Sequence, residues 1–271
     1  MPRRLPPLPK RLSFALDERT PIRVTRSLYP RPLSESSFDM HGELEAGIVL
    51  RGRMRRHLGG RVRDYGPGDA WFCGMWEPHG FSVPVAPCEC LVLVIWPGLV
   101  ANLHFPEAPD VPWLAAFTAP AGRRPRTPPT SRAAVLELAR QIQQAAKTPD
   151  AANRLRLRLL LLNLLLLVRP SGRAAAAAPA APAQAHRRLA PALDLVLHST
   201  RRIPGNEAAR ACGLGRERFC RLFRALTGLP FAKFALRRRL DGVARQLRDT
   251  DEPLKAVARA WDFTDECHLH R

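Results

Sequence analysis

Hydrophobic and polar positions along the 271 residues fall into three textures. From about residue 20 to 97 apolar residues come in short runs broken by turn punctuation. The run 44–50 ends at Gly52, the run 53–58 ends at Gly59-Gly60, and Arg61–Tyr65 follows. A Gly-Gly pair between two such runs is a hairpin signal, because both glycines reach the positive φ of a tight turn. Pro67-Gly68-Asp69 marks a further turn, Ala70–Cys73 a short strand, and 90–96 a buried apolar strand. Many short strands at this spacing predict a small barrel or sandwich.

From about 98 to 168 the pattern becomes helical. Ser131 is placed to cap a helix over 133–146, and Pro149-Asp150 to open a second one running through Val168. That second helix is apolar on nearly every side, so more than one neighbour must cover it. An intradomain core and a dimer seam both answer that need. Residues 169–188, with their Ala-Pro repeats, cannot build a core and read as a linker. The remainder, from about Leu189, is helical throughout.

Within that last stretch the residues meet the steric demands of a helix-turn-helix. Two tightly crossing helices need a small residue at the crossing, a glycine in the turn four positions on, and apolar seats beyond it. Ala209 is the small residue, Gly213 the turn, and Leu214, Phe219 and Leu222 the seats, with Ala208 and Cys212 lining the first helix. Arg216–Thr227 is then the helix offered to a DNA major groove. With Phe219, Leu222 and Phe223 buried, helical spacing places Glu217, Cys220, Arg221 and Arg224 on the opposite face. Arg221 suits a bidentate grip on guanine and Glu217 suits a cytosine amine. Arg216, Arg218 and Arg224 are placed for phosphate. The pattern begins again after an amphipathic helix over 231–247: Val257-Ala258 repeat Ala208-Ala209, Asp262 stands where Gly213 stood, and Phe263 where Leu214 stood. It stops at Arg271, before the next seat.

Charge and cysteine usage bound the setting. The formal net charge is +19, from 43 Lys and Arg against 24 Asp and Glu. Such a surface raises affinity for any polyanion, so by itself it is a weak pointer to nucleic acid. The longest greasy run, 159–168, is ten residues interrupted by Asn163, about half of the roughly 20 a membrane span needs. The start holds prolines and charges rather than a secretory core, and the six cysteines lack framework spacing. A soluble cytoplasmic protein with reduced thiols and no membrane partner is expected.

Residues from about 189 to 271 resemble the DNA-binding domain of AraC/XylS-type transcription regulators. The matching string runs through Ala209, Gly213, Leu214, Phe219, Arg221, Leu222, Phe223, Thr227-Gly228, Phe231, Phe234, Arg239-Leu240 and Leu247, then Val257-Ala258, Phe263, Asp265 and His268-Leu269. The resemblance implies two helix-turn-helix units joined by the long helix and reading adjacent major-groove segments. It carries over Glu217, Cys220 and Arg221 as base readers of the first unit, and Glu266, Cys267, His270 and Arg271 of the second. Gly215 departs from the family's serine cap and Asp262 from its turn glycine. About 20 residues of the family pattern are missing after Arg271, so a frayed second reading helix is expected.

The strand-rich zone resembles the cupin-like sensor half of the same family, through Asp39-Met40-His41, Pro67-Gly68-Asp69 and Trp76-Glu77-Pro78-His79. In cupins such histidines and a carboxylate can hold a metal; His41, Glu43 and His79 are the candidate set, with His57 or His104 as spares. Sensor halves of this family usually bind none, and no metal or other cofactor is expected. Cys73, Cys88 and Cys90 near His79 are a second, weaker zinc or redox candidate. Trp71, Trp76, Phe81 and Trp96, with His41 and His79, line an effector pocket or else form barrel core. Arg51, Arg53, Arg55 and Arg56 read as a solvated strand face.

The expectation is an α+β two-domain chain: a tail (1–20), a cupin-like β-barrel with a helical dimerisation segment (21–168), the linker (169–188), and an all-α tandem helix-turn-helix domain (189–271) with a truncated second unit. Its function is that of a ligand-responsive, sequence-specific DNA-binding regulator and not an enzyme. Double-stranded DNA, a small-molecule effector, a second copy of the chain and RNA polymerase are its partners. A cupin metal enzyme with a DNA-binding tail, or a truncated regulator that binds DNA weakly, is the alternative.

Overall fold

The computed structural model describes residues 10–264 apart from 13, 15, 35–37, 59, 102, 104, 109–110, 112, 169–182 and 228; of residues 10, 11, 183–187, 225, 226, 241, 245, 248 and 249 it describes the backbone only. Contacts divide the chain into two units, Met1–Pro97 with Ala119–Pro179, and Gly98–Thr118 with Ala180–Arg271.

The first unit is built on two long antiparallel strands, β4 (Leu44–Leu58) and β7 (His79–Ile95), paired almost end to end. Two strands lie along β7, β2 (Ile22–Tyr29) and β3 (Phe38–Met40), and β1 (Lys10–Arg11) runs parallel to β3. Different halves of β4 carry β6 (Ala70–Cys73) and β5 (Arg61–Tyr65). The break expected at Gly52 is absent. Gly52 has φ +75, and a side chain there would overlap the backbone of Pro87 and Cys88, so it forms a bulge inside one continuous strand. The ladder to β7 shifts register between Val49 and Arg55. That shift inverts parity: Val49 faces the apolar core before the bulge, and Met54 and Leu58 face it afterwards. Because strand side chains alternate, the inversion turns Arg56 inward as well. It is 5% exposed, which corrects the reading of residues 51–56 as one solvated face.

Two helices cover this sheet, α3 (Arg132–Ala146) against β2 and β4, and α4 (Ala151–Leu167) against α3 and β2. Ser131 does not cap α3: it sits in helical geometry at the end of a 3-10 turn, Pro129–Ser131, and its hydroxyl makes no cap bond. Asp150 does cap α4, its carboxylate accepting from Asn153 N at 2.7 Å. The neighbours cover only part of α4, burying Leu157, Leu160, Leu161, Leu164 and Leu165.

In the second unit the helices are α5 (Ala183–Leu197), α6 (Gly205–Ala211), α7 (Arg216–Thr227), α8 (Phe231–Asp249) and α9 (Leu254–Ala260). Helix α5 begins inside the stretch read as linker. The segment Gly98–Thr118, expected in the first domain, groups here instead. It carries two short helices, α1 (Pro97–Ala101) and α2 (Ala115–Thr118), the second of which lies against α7. Its apolar Trp113, Leu114 and Phe117 are buried. Phe219, Phe223, Phe231 and Phe234 form a ring cluster with centroids 5.1–5.5 Å apart, fixing α7 to α8. A second cluster of Val243, Val257, Ala258, Trp261 and Phe263 fixes α9 to α8, and Gly242 leaves room for the Trp261 ring. No helix among the described residues is long and apolar enough to cross a membrane.

Candidate functional site

The first candidate surface is α7. Its approach is set by Gly213, at φ +61, whose N–H bonds to Arg210 O while Leu214 N–H bonds to Ala209 O, both at 2.9 Å. Ala209 is 2% exposed at the crossing. Leu214 and Phe219 are buried seats, as the sequence predicts, while Leu222 is half-buried and Phe223 takes the deeper place. Glu217, Cys220, Arg221 and Arg224 all lie exposed, as do Arg216 and Arg218. Four arginines on one solvated helix have little reason to be there for stability, and their charge is available to a polyanion. The second unit repeats the turn bond for bond: Asp262 N–H to Arg259 O at 3.0 Å and Phe263 N–H to Ala258 O at 2.9 Å. Glu266, Cys267, His270 and Arg271 lie outside the described residues, as does His104.

The second candidate site is a buried polar cluster inside the first unit. His41, Glu43, Glu45, Arg56 and His79 are all buried. Glu45 is its centre. Its Oε1 accepts from Arg56 Nη2 at 2.7 Å and from Trp71 Nε1 at 2.8 Å. Its Oε2 faces His79 Nε2 at 3.4 Å and His41 Nε2 at 3.6 Å. Gly47 makes this possible, since a methyl group there would overlap the Trp71 ring. The Arg56 guanidinium also lies 4.7 Å over Trp71, a contact that strengthens away from water. The register of β3 on β7 sets Asp39 opposite His79, and Asp39 Oδ1 lies 2.7 Å from His79 Nε2 without the alignment of a hydrogen bond.

Burial alone would raise the Glu45 carboxyl, but the Arg56 guanidinium and the His79 ring outweigh it and hold it well below the usual carboxylate range. For His79 burial opposes charge, yet Cys73, Glu45 and Asp39 push its proton affinity well above the ordinary histidine value. Burial pushes the Cys73 thiol up to about 11 and Cys90 to about 12. Both are therefore protonated near neutrality, which argues against the redox reading of these two cysteines.

His41, Glu45 and His79 present donor atoms all within 4.8 Å of one another. His79 Nδ1 meets Glu77 O at 2.7 Å, which assigns the proton to Nδ1 and leaves the Nε2 lone pair facing two carboxylates. That arrangement calls for a proton or a cation at Nε2. Two imidazoles with Glu45 suit zinc, iron or manganese, with Arg56 and Trp71 orienting Glu45 from behind. The donor set fits a divalent ion. Glu43, the carboxylate chosen from sequence, is not in it: its Oε1 accepts from Phe14 N at 3.1 Å and its Oε2 lies 3.5 Å from His41 Nδ1. His57 stacks on Phe38 at 5.7 Å and stays outside the set.

A helix-turn-helix domain model matches residues 208–271, and a cupin domain model matches residues 31–96. The two models follow one another along the chain, a cupin domain and then a helix-turn-helix domain. Two structures of ToxT share that fold along almost the whole chain. ToxT from Vibrio cholerae O395 is 6% identical with a TM-score of 0.50, aligned over 92% of this chain and 90% of its own. The fatty-acid-bound ToxT of Vibrio cholerae strain SCE256 is 8% identical with a TM-score of 0.51, over 92% and 89%. The AraC-like activator CuxR is 16% identical with a TM-score of 0.41, over 89% and 81%. No curated protein matches the chain by sequence.

Of the aromatic residues singled out from sequence, Trp71 and Phe81 both lie against the Arg56 guanidinium, at 4.7 and 5.9 Å. Trp71 belongs to the polar cluster and Trp76 is buried at a left-handed φ of 49°. Phe81 packs on Tyr29 at 5.1 Å, and Trp96, half-buried after β7, donates its backbone N–H to Pro21 O. Asp39, Glu45 and Arg56 escaped the sequence reading. Strand alternation from His41 allowed Glu45 as readily as Glu43; the pairing that favours Glu45 is long-range. Arg56 was hidden by the bulge.

Proposed function

We propose that the chain is a ligand-responsive, sequence-specific DNA-binding transcription regulator. The observation that carries this reading is α7, held on a phenylalanine core with one exposed face of Glu217, Cys220, Arg221 and Arg224. On this reading Arg221 grips a guanine edge and Glu217 accepts from a cytosine amine, with Cys220 between them. Arg216, Arg218 and Arg224 neutralise phosphates and set register. Glu266, Cys267, His270 and Arg271 read the adjacent segment. The chain is then not an enzyme, and its place is the cytoplasm, beside RNA polymerase.

The barrel is the sensor half. Its buried polar cluster, with Trp71, Trp76, Phe81 and Trp96, supplies the surroundings for a small effector. ToxT, of the same fold, is known with an unsaturated fatty acid bound. The segment Gly98–Thr118 leaves β7 and joins the helical unit beside α7, a covalent route between effector and reading helix. On α4, Leu155, Leu159 and Leu166 are 57%, 58% and 51% exposed, with Leu162 half-buried between them. Spacings of four, three and four make a coiled-coil seam, and its occupant on this reading is a second copy. Leu159→Glu should then shift the chain to monomer in sedimentation.

Selection of bound sites from random DNA tests the function. Arg221→Ala should relax specificity at one base pair; identical affinity of both proteins for every sequence would overturn the reading. The converging donors of His41, Glu45 and His79 favour one second reading, a metal-dependent cupin activity joined to a DNA-binding tail. Elemental analysis of gently purified protein decides it: without bound metal it falls.

A further inference from the structure

Asp262 is a non-glycine residue at φ +55, in the turn where the first helix-turn-helix unit has Gly213 at φ +61. Both turns close with the same two backbone bonds, so a glycine at 262 would serve the turn at least as well and without the crowding that left-handed geometry imposes on a Cβ. A strained residue in a place where glycine fits points to its side chain. That side chain is engaged: Asp262 Oδ2 accepts from Arg202 N at 2.7 Å, across 60 residues. Arg202 lies between α5 and α6, at the base of the first unit.

The long helix α8 supports the same junction from below. Arg239 is buried, donates to Trp261 O at 2.9 Å and to Asp262 O, and lies 4.0 Å over the Phe263 ring. Arg238, next to it, donates to Leu197 O at the end of α5 at 2.9 Å. Adjacent arginines thus hold the turn of the second unit and the base of the first, and the Asp262 carboxylate closes the loop between them. The acceptor is a carboxylate oxygen, so the bond to the Arg202 amide is charge-assisted rather than a neutral turn contact.

We infer that Asp262 is a positioning residue that locks the second helix-turn-helix unit to the first, fixing the spacing of DNA segments the pair can engage. The consequence for DNA rests on the proposed regulator function; the lock itself does not. A residue chosen only to tolerate a turn would need no partner across 60 residues.

Two readouts on the full chain test this. In Asp262→Gly the turn keeps its geometry and helix content should not change, but exchange of the Arg202 amide should quicken about tenfold. Affinity for a site selected with the unaltered protein should fall several-fold. The penalty for inserting one base pair between its two major-groove segments should shrink. Asp262→Asn retains an oxygen acceptor and tolerance of positive φ, and should restore most of both. Unchanged Arg202 exchange in Asp262→Gly would refute the lock. Quickened exchange with an undiminished spacing penalty would refute its role on DNA. If the unaltered protein selects no DNA site, the regulator reading falls and the exchange result alone decides the lock.

Discussion

In the barrel Arg56 is buried, bonded to Glu45 and laid over Trp71, while in the reading helix Arg221 stands in solvent on the face opposite Phe219 and Phe223. The side chain is the same; the dielectric around it is not. A buried guanidinium must be paired, so its removal is felt by the fold. An exposed one is hydrated, contributes little to stability, and keeps its charge for a partner. The difference separates an arginine that builds a site from one that we propose meets a partner directly. Each half can be perturbed without touching the other.

The largest effect should come from Arg56→Met, which leaves Glu45 buried without its cation. A loss of about 3–5 kcal/mol is expected in urea unfolding followed by tryptophan fluorescence. Adding Glu45→Gln should restore much of it, because the orphaned charge is then gone. A loss below about 1 kcal/mol would mean that Glu45 is answered from elsewhere, and the contrast with Arg221 would collapse. Gly47→Ala tests the same cluster from its wall. The new methyl overlaps Trp71, and overpacking of about 1–3 kcal/mol should follow together with a shift in Trp71 emission.

The acid and neutral limbs of stability extend this test to pH, with a chelator present. Glu45 titrates below its unfolded value, so its contribution is present above about pH 4.3 and is lost as pH falls through the folded value. His79 titrates above its unfolded value, so its contribution is full below about pH 6.5 and is lost as pH rises through the folded value. The first unit should be most stable between those limits. Glu45→Gln should flatten the acid limb and, because Glu45 also helps hold the His79 proton, weaken the neutral limb as well; a curve unchanged by it would show that another carboxylate governs acid unfolding.

How much of this was legible in the sequence depended on the range of the forces involved. The helix-turn-helix was legible because its demands are local: Ala209, Gly213, Leu214 and Phe219 meet each other within a dozen residues. The strand content was legible for the same reason. The barrel site was not, because Glu45, Arg56, Trp71 and His79 come together only through the pairing of β4 with β6 and β7 and the parity change at Gly52. Ser131 and Asp150 make the same point at small scale. Both are good cap residues by type, and only Asp150 found the backbone geometry in which a cap forms.

On the exposed side of the comparison the expected changes are in binding rather than folding. Arg221→Ala should alter unfolding by less than about 0.5 kcal/mol, yet cost about 1–3 kcal/mol against the one base pair it reads. Arg218→Ala should be subtler still. Phosphate contacts carry no sequence information, so weakening should be uniform across sequences, and the slope of log K against log salt should fall by about one. The two variants therefore separate reading from anchoring on one helix. If Arg218→Ala changed base preference and Arg221→Ala changed only the salt slope, the roles would be exchanged and α7 would lie in the groove rotated by roughly 60° around its axis, the offset between residues three apart. If neither moved the slope, the exposed face of α7 would not meet DNA at all, and its charge would belong to a different partner.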